Sequence, residues 1–138
     1  MLIHASSVAI NDSAVLLVGE AGVGKSDVAL RLIDAGAVLI ADDQTILTQD
    51  NNVLMASSPT SIKGLIEVRH VGLLRMPSVP ATPVALYVEL VPPDENLERL
   101  PDDEFITLET ISIRKLRLPA YAASTPAKIR AVLRYERE

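Results

Sequence analysis

Two apolar stretches open the chain, Leu2 to Ile10 and Ala14 to Val18, with the turn-forming residues Asn11-Asp12-Ser13 between them. Short polar side chains of this kind bond to nearby backbone and favour a reversal, so the segment reads as a β-hairpin. From Lys25 the period changes. Val28, Ala29, Leu32 and Ile33 recur at helical spacing until Gly36, a residue suited to cap a helix C-terminus, and the pattern predicts a helix over roughly residues 25 to 35. Val38-Leu39-Ile40-Ala41 is a branched apolar run short enough for a buried strand, and it ends in Asp42-Asp43. Strand, loop, helix and strand make a βαβ unit, which sets the class as α/β.

Beyond it, residues Gln44 to Asn52 read as a strand and turn, with Gln49-Asp50-Asn51-Asn52 as the turn, and Ser57-Ser58-Pro59 opens a short irregular segment. Leu65-Ile66-Glu67-Val68-Arg69 and Val71-Gly72-Leu73-Leu74 have β character. The prolines from Pro77 to Pro83 mark a loop, Val84 to Val91 a strand, and Pro92-Pro93-Asp94-Glu95-Asn96 its end. A strand pair is expected over Phe105 to Leu118. Thr125-Pro126 then opens a terminal helix with Ile129, Val132 and Leu133 on one face. At 138 residues, without repeats, residues 1–138 are expected to form one unit around one core.

A formal net charge of -5 argues against broad nucleic-acid binding, which needs a basic surface to displace counterions. More than half of the 13 Lys and Arg residues nonetheless follow Thr110. They form either a solvated helix face or a docking surface for something acidic. There is no cysteine, hence no disulfide, zinc-thiolate site or thiol nucleophile, which fits a reducing cytoplasm. Neither a secretory pattern nor an apolar run of membrane-spanning length occurs, so no membrane partner is expected. One Phe, three Tyr and no Trp leave few platforms for stacking bases, and a bound nucleotide is expected to be held mainly by its phosphates.

The residues that carry chemistry start with Gly19-Glu20-Ala21-Gly22-Val23-Gly24-Lys25-Ser26, a phosphate-binding P-loop placed between an apolar strand and a helix. Glycines let backbone N–H groups approach phosphate oxygens without an obstructing Cβ, and the helix N-terminus adds a favourable dipole. In this pattern Lys25 pairs with the β- and γ-phosphates of ATP and the Ser26 hydroxyl ligates Mg²⁺. Asp42-Asp43 ends the next strand, at the carboxyl edge where α/β sheets present catalytic groups. One carboxylate can serve the metal and the other accept a proton from an attacking hydroxyl. His4, Glu67, Arg69 and Arg99 are not singled out by spacing. A lone histidine is usually packed or solvated, Glu67 and Arg69 on one strand face usually form an ion pair, and Arg99 lies in a charged loop.

The order of these pieces resembles the catalytic domain of HPr kinase/phosphorylase, which phosphorylates a serine of the phosphocarrier protein HPr. Gly36-Ala37-Val38-Leu39-Ile40-Ala41-Asp42-Asp43 is similar to that family's Gly-x-x-Leu-Val-Ala-Asp-Asp segment, and His4 precedes Gly19 by the family's interval. Pro59 through Glu67-Val68-Arg69-His70-Val71-Gly72-Leu73 resembles its Pro-x₇-Glu-Ile-Arg-Gly-Leu-Gly-Ile signature, with His70 in place of a glycine. Glu98-Arg99-Leu100 is similar to its Asp-Arg-Leu element. The resemblance runs from His4 to about Pro119. It implies a P-loop kinase core related to phosphoenolpyruvate carboxykinase, with a mixed sheet, few helices and a hexameric assembly. It also implies Asp43 as general base with Asp42 beside it, Glu67 joining Ser26 at Mg²⁺, Arg99 on the transferring phosphoryl group, and His4 assisting.

Two departures stand out. The chain begins almost at the catalytic domain, so the family's N-terminal domain is expected to be missing from it. The family's Pro-Val-Arg-Pro-Gly-Arg-Asn loop, associated with dephosphorylation, is replaced by Pro119-Ala120-Tyr121-Ala122-Ala123-Ser124-Thr125, without either arginine. The expectation is therefore an ATP- and Mg²⁺-dependent HPr serine kinase with weak or absent phosphorylase activity. A small-molecule P-loop kinase and a nucleotide-sensing regulator are the alternatives, the former lacking a recognisable arginine-rich lid here and the latter needing no Asp43.

Overall fold

In the computed structural model, which describes residues 1–138, the opening hairpin forms as its pattern predicts. A two-residue strand β1 (Leu2–Ile3) is followed by β2 (Ala5–Ile10) and β3 (Ser13–Val18), which pair antiparallel with Ala5 against Val18 and Ile10 against Ser13. Helix α1 (Lys25–Asp34) leads to β4 (Val38–Ala41), which pairs antiparallel with β2. Strands β3 and β4 are thus parallel to each other with β2 between them, so the βαβ crossover spans an intervening strand.

The chain continues through β5 (Thr45–Asp50), β6 (Val53–Ser57), a 3₁₀ turn at Thr60–Ile62 and a separate hairpin of β7 (Leu65–Val68) and β8 (Gly72–Arg75). It closes with β9 (Thr82–Val91), β10 (Glu104–Leu108), β11 (Ile111–Pro119) and helix α2 (Thr125–Arg134). Strand β9 starts earlier than its apolar run suggests. Pro83 lies at its second position, opposite Met55, near the strand start where a missing N–H is tolerated.

All strands except β7 and β8 join one nine-stranded mixed sheet. Its centre positions the site: β9 runs parallel to both β3 and β11, so these three strands deliver their carboxyl ends, and the loops that follow, to one edge. The two sheet faces bury different sets of side chains. In β3, Val15 and Leu17 face the helices with Val28, Ala29, Leu32 and Ile129, while Ala14 and Leu16 face Leu47, Leu54, Ala56 and Leu108 from the outer strands. Outer strands covering the second face require the sheet to curl over itself. This is the period-2 alternation of a sheet buried on both sides.

Two register shifts adjust that alternation. Ala14 pairs with Val84 and Val15 with Leu86, leaving Ala85 extra, and so Val84 faces one core and Leu86 the other. Ser7 pairs with Ala41 and Val8 with Leu39, leaving Ile40 extra just before Asp42. Bulges of this kind kink a strand and re-aim the side chains that follow.

Candidate functional site

The Gly19–Ser26 loop leaves β3 and enters α1 as the sequence predicts. Gly19 is packed so closely that an added Cβ would lie 2.8 Å from both the Leu90 carbonyl oxygen and Val23 Cγ1. Gly24, at φ 115°, is the N-cap of α1 and offers no side chain to cap the first turn. The orphan N–H groups of that turn therefore lack the usual capping partner and suit an anion. The Lys25 ammonium folds back on the loop, donating to the carbonyl oxygens of Gly19 at 3.0 Å and Glu20 at 3.2 Å.

Asp42 lies at the end of β4, 8% exposed, and three segments donate to it. Its Oδ1 accepts from the Ser26 hydroxyl at 2.6 Å and from the Ser6 hydroxyl at 2.9 Å, and its Oδ2 accepts from the Glu67 backbone N–H at 2.9 Å. Charge-assisted bonds of this length are the strong ones, and together they fix the carboxylate in position and rotamer. Asp43, by contrast, is exposed and sits in the left-handed region at φ 68°. Its backbone N–H donates to Ser6 Oγ at 3.1 Å, so a single fully buried hydroxyl ties down both acidic residues. A non-glycine residue in that conformation is uncommon, although aspartate is among those that adopt it more readily.

Ser6 is the residue that sequence reasoning missed. The available signal was a polar pair, Ser6-Ser7, inside an apolar strand. Both prove completely buried, with Ser7 bonded to the Thr45 hydroxyl at 2.9 Å and Ser6 to Asp42.

The remaining candidates fall at different places. His4, between β1 and β2, lines a cleft of about 500 Å³ with Gly19, Glu20, Tyr87 and Glu89, so it reaches the loop. Glu67 is brought in through its backbone bond to Asp42, with its side chain exposed beside that contact. The ion pair expected with Arg69 does not form. Strand β7 ends at Val68, and the turn at Arg69-His70, with His70 at φ 69°, takes Arg69 off the strand face. That conformation also explains why a glycine suits position 70. Arg99 is exposed in the loop after β9, at the same sheet edge as the Gly19–Ser26 loop, and makes no ion pair or hydrogen bond.

No three acidic or histidine side chains converge to hold a metal by themselves. The side-chain oxygens that do gather, on Ser26 and Asp42, are hard donors, and Mg²⁺ commonly takes only one or two protein oxygens and completes its shell with phosphate and water. The donor set therefore fits that ion. Taken together, a loop for phosphates, an ammonium, a fixed carboxylate and an exposed one form a set suited to phosphoryl transfer.

Comparison with known proteins agrees with this chemistry. The profile described as HPr Serine kinase C-terminal domain matches residues 1–135. The chain belongs to that family. It is 32% identical over 126 residues to the HPr kinase/phosphorylase of Clostridium novyi, a match covering 84% of this chain and 41% of that protein. With the HPr kinase/phosphorylase of Clostridium acetobutylicum it shares 34% over 127 residues, covering 85% and 42%. It therefore spans about two fifths of the length of those relatives. The structure of the Hpr(Ser) kinase/phosphatase from Coxiella burnetii superposes with a TM-score of 0.85 at 31% identity, covering 97% of this chain and 94% of that one. The P-loop kinase core with a mixed sheet and two helices is thus the family's fold, as the resemblance implied. No helix is long and apolar enough to cross a membrane.

Proposed function

We propose that residues 1–138 form the catalytic core of an ATP-dependent kinase that phosphorylates a serine of HPr. The observation that carries this reading is the bond between Ser26 and Asp42, which joins the phosphate-binding loop to the acidic end of β4. A phosphate loop alone does not name a reaction. A second acidic residue, exposed and held beside that junction by its backbone N–H, supplies the missing base.

In this mechanism the glycine-rich loop and the α1 N-terminus hold the β- and γ-phosphates, and Lys25 turns from the loop carbonyls to their oxygens. Ser26 and Glu67 would hold Mg²⁺, with Asp42 fixing the Ser26 hydroxyl. The cation, when bound, neutralises charge on the phosphate oxygens. The serine oxygen of HPr forms a bond to the γ-phosphorus as the bond to the ADP oxygen breaks, and the serine proton passes to Asp43. His4 stands at the cleft beside Gly19 where the acceptor enters. Arg99, on the loop at the same edge, closes over the transferring group and offsets its charge.

The test is transfer of labelled phosphate from ATP to HPr and to an HPr whose acceptor serine is alanine, using the protein and its Lys25→Ala variant. Label on the serine form alone, abolished by the variant, is the expected result. Binding of Mg²⁺-ATP without transfer would point to another acceptor or a nucleotide sensor.

A further inference from the structure

The segment 119–125, where this chain departs from the family's arginine-bearing loop, lies against the phosphate-binding loop. It follows β11, whose carboxyl end shares the sheet edge of β3 and β9, the edge at which open α/β sheets receive ligands. The segment is anchored along its length. Ala120 is buried and its N–H donates to the Val91 carbonyl, the Arg31 guanidinium of α1 donates to the carbonyls of Ala120 and Ala122, and the Thr125 hydroxyl donates to the carbonyl of Pro119.

Between these anchors stands Tyr121. Its hydroxyl donates to the Gly22 carbonyl at 3.2 Å, and a Cβ placed on Gly24 would lie 3.8 Å from its ring. The residue is nevertheless 58% exposed. A large aromatic surface is thus held at a fixed place on the rim of the loop, open to solvent, in a chain with four aromatic residues in all (one Phe, three Tyr and no Trp). The other ring near the loop, Tyr87, is half-buried, with the Lys115 ammonium 6.0 Å from its centroid, and lies at the Gly19 end beside His4 and Glu89.

We propose that the Tyr121 ring is the platform on which the purine base of the bound nucleotide rests, with the 119–125 segment as the wall of the nucleoside subsite. The proposal rests on the nucleotide reading above. Ser26, Asp42 and Asp43 fix the reacting end of the phosphate chain, so the nucleoside leaves past a different part of the loop, and Tyr121 is the exposed aromatic ring there. Its hydroxyl is already bonded to the Gly22 carbonyl, which leaves the exposed ring surface as the feature it offers a ligand. Base stacking on aromatic rings tolerates any base and contributes a measurable share of affinity.

Calorimetric titration of the full chain, its Tyr121→Ala and its Tyr121→Phe variants with Mg²⁺-ADP and with Mg²⁺-pyrophosphate tests this. Tyr121→Ala is expected to weaken ADP by roughly tenfold while leaving pyrophosphate within about twofold, and Tyr121→Phe to keep both within about twofold. Unchanged ADP affinity in Tyr121→Ala would overturn the platform. So would an equal loss for both ligands in Tyr121→Ala and Tyr121→Phe, because the hydroxyl would then act only by bracing Gly22. A wild-type protein that binds pyrophosphate as tightly as ADP would remove the platform and leave the phosphate loop intact. One that binds neither would remove the nucleotide reading and this proposal with it.

Discussion

The Ser26 hydroxyl donates to Asp42 Oδ1 at 2.6 Å, across 16 residues of sequence, and so couples the first turn of α1 to the end of β4. All three donors to Asp42 require an acceptor. In Asp42→Asn an amino group replaces one oxygen and must face either the Glu67 N–H or the two hydroxyls. Unmet donors in a buried setting are expected to cost about 1–3 kcal/mol. Urea denaturation should show a lower midpoint with an unchanged slope, and an unchanged midpoint would contradict the account.

Ser6 holds both acidic residues from the buried side. Ser6→Ala removes its bond to Asp42 and strands the N–H of Asp43, a residue already in a left-handed conformation. Turnover of phosphate transfer is expected to fall roughly tenfold, while the KM for nucleotide changes by less than about twofold, since the loop itself is untouched. A large rise in KM with turnover intact would place Ser6 in nucleotide binding instead.

Gly19 and Gly22 make a contrast within one loop. Alanine at position 19 would meet a backbone carbonyl and a valine methyl at 2.8 Å, whereas at position 22 nothing lies within 4 Å and only the φ of 82° opposes a side chain. Gly19→Ala is expected to lose about 1–3 kcal/mol of stability and Gly22→Ala about 1 kcal/mol. Thermal midpoints in parallel would reveal a reversed order.

Tyr87 gives the protein an alkaline limit. Burial raises its phenol above the usual 10.0, and the nearby Glu89 carboxylate adds to the shift. Because the folded pKa exceeds the unfolded one, the protonated ring's contribution is complete below pH about 10 and is lost as pH rises through the folded value. Stability of the wild type should therefore fall more steeply than that of Tyr87→Phe above pH about 10, read as urea midpoints at successive pH values. Parallel curves would show that the phenol does not carry the effect.

Segment 119–125 holds no arginine, and Arg31 is committed to its carbonyls. Attack of inorganic phosphate on phosphoserine brings two anions together and needs fixed cations. The chain is expected to release pyrophosphate from phospho-HPr at least about tenfold more slowly than it forms phospho-HPr. A coupled pyrophosphate assay showing comparable rates would refute this.

Local patterns in the sequence carried much of this structure. The glycine spacing of the loop, the helical period from Val28 to Ile33 and the acidic pair closing an apolar run each depend on neighbours within a few residues. Contacts between distant segments were not legible. Ser6 meets Asp42 across 36 residues and Tyr121 meets Gly22 across 99; the polar pair Ser6-Ser7 in an apolar strand hinted at a buried partner, but nothing local named which one. Glu67 shows the same limit from the other side. Alternation paired it with Arg69, but a turn at His70 ended the strand first and left its backbone to make the decisive bond.

That bond leaves position 67 chemically open. Because the contact to Asp42 uses the main-chain N–H, every residue but proline can hold the acidic strand end in place, whatever its side chain does. The scaffold contact and the side chain at this position are therefore separable traits. Substitution at 67 can change what the side chain presents at the site in one mutational step that leaves the architecture standing, and selection has a site here where function can drift without first passing through an unfolded ancestor.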